Sequence, residues 1–163
     1  MSDDPIKDAL KMIPYGFYSI TSSYEDDVNA MVANWFTQVS FEPRLVAIAI
    51  QKDSYSSGLI GKGKVFAVNI FDKAGVELIK PYTKGRAKNP SKMEDVKYTP
   101  GPETGCPILE GAAAYFECRV VAIHDNGGDH DMVIGEVVGA GVIKTGDASN
   151  TLSLLDIGWS YAG

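Results

Sequence analysis

The residues best suited to chemistry fall in two short runs, Asn34 to Ser40 and Gln51 to Ser57. The second run reads Gln51-Lys52-Asp53-Ser54-Tyr55-Ser56-Ser57 and follows the apolar stretch Leu45 to Ile50 directly. Hydroxyls and free backbone N–H groups that meet at a helix start attract an anion, and Lys52 adds a cation beside the same turn. Ser and Asp are also the usual N-caps, so the serines alone do not separate plain capping from ligand binding. The first run, Trp35-Phe36-Thr37-Gln38-Val39-Ser40, mixes bulky rings with hydroxyls in mid-strand. It reads either as a half-exposed strand with ordinary alternation or as a strand facing a ring system. Together the two runs suit a planar aromatic ligand with a phosphate tail, the strand edge serving the ring and the helix start the anion.

Several other chemistries lack their residues. Two histidines, His124 and His130, without a cysteine cluster predict no metal site. Gly61-Lys62-Gly63-Lys64 lies after a helix and before a strand, the reverse of a phosphate loop, and lacks the Gly-Lys-Ser/Thr ending. No Gly-x-Gly-x-x-Gly fingerprint and no Gly-x-Ser-x-Gly elbow occurs.

The elements that must position these runs are mostly strands. Asp4 as N-cap, Pro5 in the first turn and the Ile6/Leu10 spacing predict a short helix that Pro14 ends. Tyr15 to Ser22 reads as a strand, Tyr24 to Asp27 as a solvated hairpin turn, and Val28 to Phe41 as a second strand. Leu45 to Ile50 lacks alternation, which predicts a strand buried on both faces. A helix then starts near Ser54 or Ser56 and ends at Gly61, with a strand over Val65 to Phe71 and a short helix over Lys73 to Tyr82. Lys84 to Pro107 reads as a long surface excursion with one helical turn around Ser91 to Val96; connections of this length inside compact domains are usually functional or mobile. Two long strands, Ala112 to His124 and His130 to Lys144, flank the turn Asp125-Asn126-Gly127-Gly128-Asp129, and Leu152 to Ile157 adds a final pairing segment. The reading is mainly β: an antiparallel barrel with short peripheral helices and no regular βαβ crossovers.

Composition bounds the function. The chain has 163 residues, a net charge of −6 and dispersed cations, which predicts a single domain and argues against nucleic acid. No apolar run reaches the ~20 residues of a membrane span, and no secretory signal opens the chain. Two cysteines then read as reduced thiols in the cytoplasm: Cys118 in the core, in step with Phe116 and Val120, and Cys106 in a turn before Pro107.

Five motifs in order resemble the flavin reductase-like family, whose fold is the FMN-binding split β-barrel. They are Asn29-x-Met31-x-x-x-Trp35-x-Thr37-x-Val39-Ser40-x-x-Pro43, Leu45-Val46, Phe66-Ala67-Val68-Asn69, Glu117-Cys118-Arg119-Val120, and Gly128-Asp129-His130 leading to Gly135-Glu136-Val137. The resemblance covers about residues 8 to 158, with Ala30, Val32 and Arg44 departing from the common pattern. It implies an antiparallel split barrel of Greek-key type and a homodimer that binds FMN near the subunit interface. Asn34, Trp35, Phe36, Thr37, Gln38, Val39 and Ser40 would border the isoalloxazine and ribityl chain. Gln51, Lys52, Ser54, Tyr55 and Ser56 would take the ribityl hydroxyls and the phosphate. His130 would lie near the flavin or the incoming nicotinamide, as the one candidate catalytic residue. Lys84, Arg86 and Lys88 read as solvated, while Lys92 is assigned a distal phosphate contact. The activity implied is NAD(P)H:flavin oxidoreduction, with NADH or NADPH as reductant and an oxygenase or another electron acceptor downstream. The alternative is an FMN-carrying electron-transfer protein reduced by a protein partner.

Overall fold

The computed structural model describes residues 2–160. Helix α1 spans Pro5–Leu10, with the Asp4 carboxylate accepting from the N–H groups of Ile6 and Lys7. Strands β1 (Tyr18–Tyr24), β2 (Asp27–Ala33), β3 (Phe36–Ser40) and β4 (Leu45–Gln51) follow. Helix α2 (Tyr55–Gly63) leads into β5 (Val65–Ile70), and α3 (Val76–Ile79) lies between two 3-10 turns over residues 73–83. Short strands β6 (Tyr98–Pro100) and β7 (Pro107–Leu109) pair with each other. The long hairpin β8 (Ala114–Asp125) and β9 (His130–Val142) completes the set.

Seven strands form one antiparallel sheet in the order β2-β1-β5-β8-β9-β4-β3. The β8–β9 hairpin separates β4 from β5, so the chain crosses from one strand to the other carrying α2, which is a Greek-key connection. The sheet curls, because Ile20 of β1, Phe66 and Val68 of β5, and Val46, Ile48 and Ile50 of β4 bury in one cluster. Edge strands β2 and β3 do not pair, and the barrel is split between them. A second cluster joins Phe17, Phe71, Ile79 and Leu152, packing the 73–83 segment and the tail beneath β1. Gly135 makes the first cluster fit: a Cβ there would stand 2.6 Å from the Phe66 ring, so a bare backbone lets that ring fill the barrel.

Several expectations change. The strand expected from Val28 to Phe41 is two strands. Asn34 and Trp35 form the corner at which the chain leaves β1 and joins β4, and Trp35 O accepts from Ala49 N at 3.0 Å. The 84–107 excursion is not a free surface loop: Met93 and Val96 pack on the second cluster. Asn69 accepts from Leu109 N at 2.9 Å, and Glu117, fully buried, accepts from the backbone and hydroxyl of Thr104. Hydrogen-bonded turns, not a helix, occupy Ser91 to Val96. The tail adds only isolated bridges, Gly16 to Ser153 and Asp72 to Thr151, before a 3-10 turn over Leu154–Ile157. Cys106 is as buried as Cys118, and burial pushes both thiols up to about 12.

Candidate functional site

The strand-to-helix corner that carries the serines is built as its sequence suggests. β4 ends at Gln51, a turn bonds Ser54 N to Gln51 O, and Ser54 caps α2 by accepting from Ser57 N at 3.1 Å. The C-terminus of α2 closes on Lys64 in the left-handed conformation. The capping reading therefore holds for Ser54. Ser56 behaves differently: it is buried, and its Oγ accepts from Asn29 Nδ2 of β2 at 2.8 Å. Asn29 Oδ1 has no hydrogen-bond partner among the described residues.

This corner opens on a cleft of about 1040 Å³. Ser54, Tyr55 and Ser56 form one wall, and Lys84, Arg86, Lys88 and Lys92 of the excursion form the facing one. Arg86 ties the walls together. Its guanidinium lies 3.1 Å from Asp27 Oδ1, donates to Val28 O at 3.0 Å, and stacks 4.2 Å from the centre of the Tyr55 ring. The Tyr55 hydroxyl donates to the other oxygen of Asp27. Desolvation acts to raise the Asp27 carboxyl, but the bonds from Tyr55 and Arg86 outweigh it and hold the group below the usual range. The same bond raises Tyr55. Lys92 is buried, with Nζ donating to Lys84 O at 2.8 Å. Desolvation, with the nearby Arg86 charge, lowers its ammonium to about 8.

A second cleft, about 570 Å³, adjoins the first and shares Met31, Val32 and Gln51 with it. Asn34, Trp35 and His130 line it. The His130 ring sits 4.9 Å from the Trp35 ring, its Nδ1 2.7 Å from Asp129 Oδ1. The β4–β9 register sets this position, placing His130 opposite Gln51. Asn34 Nδ2 is buried without a hydrogen-bond partner among the described residues.

Of the residues singled out by sequence, Gln51, Ser54, Tyr55, Ser56 and Lys92 meet around the first cleft, and Asn34, Trp35, Gln51 and His130 around the second. Phe36 points into the barrel, 5.1 Å from the Tyr18 ring and 5.6 Å from the Phe116 ring. Thr37, Gln38, Val39 and Ser40 continue along edge strand β3 and line neither cleft. Lys52 also lies outside both, paired with Asp125 at 2.6 Å. Sequence reasoning passed over Arg86 and Asn29 as site residues. Four cations within 84–92 and an aspartate just before the Asn29 motif were the available signals, and neither fixes a pairing without the fold.

The two orphaned amide atoms, Asn29 Oδ1 and Asn34 Nδ2, offer an acceptor and a donor where the protein supplies none. A polyhydroxylated chain with a carbonyl-bearing ring would satisfy both, and the cationic wall and α2 start suit a phosphate. The donor set thus fits a phosphorylated flavin.

Comparison with known proteins agrees in kind. The family model described as flavin reductase like domain matches residues 10–161. The chain is 36% identical over 138 residues, 84% of its length, to putative diflavin flavoprotein A 3 of Nostoc sp. strain PCC 7120, and spans 24% of that relative's own length. It superposes on the NADH:FAD oxidoreductase SgcE6 from Streptomyces globisporus C-1027 with a TM-score of 0.76, at 27% identity, covering 87% of each chain. An FMN-binding protein from Thermus thermophilus, crystallised with cyclohexenone, gives a TM-score of 0.75 at 25% identity, over 87% of this chain and 78% of the other.

Proposed function

The chain belongs to the flavin reductase like domain family, and on that premise we propose that it is an NAD(P)H-dependent flavin reductase of one domain that uses FMN. The observation that carries this is the pair of adjoining clefts, one ending at a helix start and four cations, the other at Trp35 and His130. Ser54, Ser56, Tyr55 and Lys92 hold the phosphate end, Asn29 and Gln51 the ribityl hydroxyls, and Asn34 a ring carbonyl. Trp35 borders the ring, with Phe36 packed in the barrel behind it and Lys52 bracing the turn before the helix. His130 flanks the reacting face and orients the nicotinamide, its ring fixed by Asp129 and Trp35. When bound, flavin supplies the two-electron acceptor, so the protein needs to position and desolvate rather than to carry an acid–base pair.

FAD is the competing flavin, as the likeness to an NADH:FAD oxidoreductase suggests; a spectrum of the flavin released on denaturation, followed by chromatography, decides between them. The electron-carrier reading is favoured by the match to a segment of a much longer protein named as a diflavin flavoprotein, of which this chain spans 24%. Reduced flavin passes to an oxygenase, to another acceptor or to oxygen. Homodimerisation is supported by the outer face of β3, β4 and β9. There Ala49, Met132 and Ile134 lie opposite the core side, and Met132, Val39 and Phe41 remain exposed. Among the described residues no helix is long and apolar enough to cross a membrane, and buried free thiols suit a reducing cytoplasm.

A visible spectrum of the purified protein, repeated after anaerobic addition of NADH or NADPH, tests the proposal. Yellow colour, as isolated or after reconstitution with FMN, that bleaches with either nucleotide supports the reductase. Colour that persists with both selects the carrier, and failure to take up any flavin refutes both.

A further inference from the structure

The phosphate end of the flavin uses the cations of the first cleft, yet the second cleft has two cations of its own. Lys7 and Lys11 of the α1 segment line it together with Asn34, Trp35, Gln51 and His130. The spacing puts both ammonium groups on one face, one turn apart. Asp4 and Pro5 start that turn, and the Lys11 N–H bonds to Lys7 O at 3.1 Å, so the pair is held by the helix that separates it. Neither lysine has an ion-pair partner among the described residues, and the neighbouring acid, Asp8, is engaged by Ser2 at 2.8 Å. A cleft with an aromatic pair and two cations without ion-pair partners among the described residues at its rim suits a second ligand with a ring and a phosphate.

Resting on the reductase reading above, we propose that Lys7 and Lys11 bind a phosphate of the incoming nicotinamide dinucleotide. The flavin phosphate is already accommodated at Ser54, Ser56 and Lys92, so this rim serves the reductant. A 2′-phosphate and the pyrophosphate share the required chemistry. Helix α1 buries none of its residues, which leaves the lysines free to adjust to either group.

The test uses the flavin-loaded protein and the double variant Lys7→Met/Lys11→Met, which preserves helix propensity. The remote pair Lys73→Met/Lys97→Met removes the same net charge as a control. NADP+ and NAD+ binding is measured by calorimetry, and NADPH and NADH oxidation by steady-state kinetics, each at two ionic strengths. The expected result is a rise of about tenfold in Kd and KM at low salt, an unchanged kcat, a flatter salt dependence and an unaffected control. A change confined to the 2′-phosphorylated nucleotide assigns that group, and an equal change for both assigns the pyrophosphate. Nucleotide affinities within twofold of the parent, with flavin still bound and turned over, overturn the inference alone. A parent that binds flavin but neither nucleotide overturns the reductase reading and this inference together.

Discussion

Asn29 and Ser56 allow stability and ligand binding to be pulled apart. Both are almost fully buried, 2% and 1% exposed, and share one hydrogen bond of 2.8 Å, while Asn29 Oδ1 has no partner among the described residues. Ser56→Ala strands the whole Asn29 amide. Leaving a buried donor unpaired costs about 1–3 kcal/mol. For a domain of this size that lowers Tm by about 2–12 °C, at about 2–4 °C per kcal/mol. Replacing both groups, as Ser56→Ala/Asn29→Leu, removes the unpaired donor and the unpaired acceptor together, and such exchanges are nearly neutral. The double variant should therefore recover most of the lost Tm. It should not recover flavin. Two ligand hydrogen bonds worth about 0.5–1.5 kcal/mol each correspond to a Kd raised about 5- to 150-fold. Differential scanning fluorimetry on the protein freed of flavin reads the first quantity, and quenching of flavin fluorescence on binding reads the second. A double variant that binds FMN like the parent would show that the pair only braces β2 against α2. A single variant with unchanged Tm would show that the buried amide finds another partner.

Gly135→Ala places a methyl 2.6 Å from the Phe66 ring and 3.0 Å from Cys118 Cβ, inside the first cluster. Overpacking of about 1–3 kcal/mol is expected in urea unfolding, and Phe66→Leu in the same chain should return part of it; independent, additive effects would refute the contact. Lys92, lowered to about 8 in the fold from about 10.4, is a depressed base, so its contribution to stability is full above pH ~10.4 and is lost as pH falls through about 8. The opposite trend is expected for phosphate binding, which needs the charged form: FMN affinity should weaken as pH rises past about 8, and Lys92→Met should abolish that break. Both thiols, pushed up to about 12 by burial, should resist maleimide at neutral pH in the native protein and react fully in urea.

The fold was legible where local chemistry and burial agree. The Asp4 cap, the Ser54 corner and the turn from Asp125 to Asp129 each carry their own signal, the last through Gly127 at φ +84° with its N–H on Asp125. The break at Asn34 and Trp35 was not legible, because Val28 to Phe41 has strand-forming residues on both sides of it. Only the exchange of partners, from β1 to β4, forces the corner. The excursion misled for the same kind of reason. Its composition is that of solvated loop, but its anchors are single side chains from distant strands, Asn69 and Glu117, whose amide and carboxylate gather backbone N–H groups across gaps of 40 and 13 residues.

That anchoring explains why the candidate site is only half readable from the chain. The serines and the Trp35 corner announce themselves by type and position. The cations opposite do not: Lys84, Arg86, Lys88 and Lys92 look like any polar loop until Asn69 and Glu117 fix the segment's far end and Asp27 draws Arg86 across the Tyr55 ring. An acidic chain can therefore offer a strongly positive cleft wall, because net charge constrains the average field and not the few groups that a fold gathers. Lys52, nearest to the serines in sequence, is drawn away by Asp125, whereas Lys92, some forty positions distant, is buried against the site. Proximity along the chain was the wrong guide to which lysine lines the first cleft, since partners distant in sequence decide where each side chain goes.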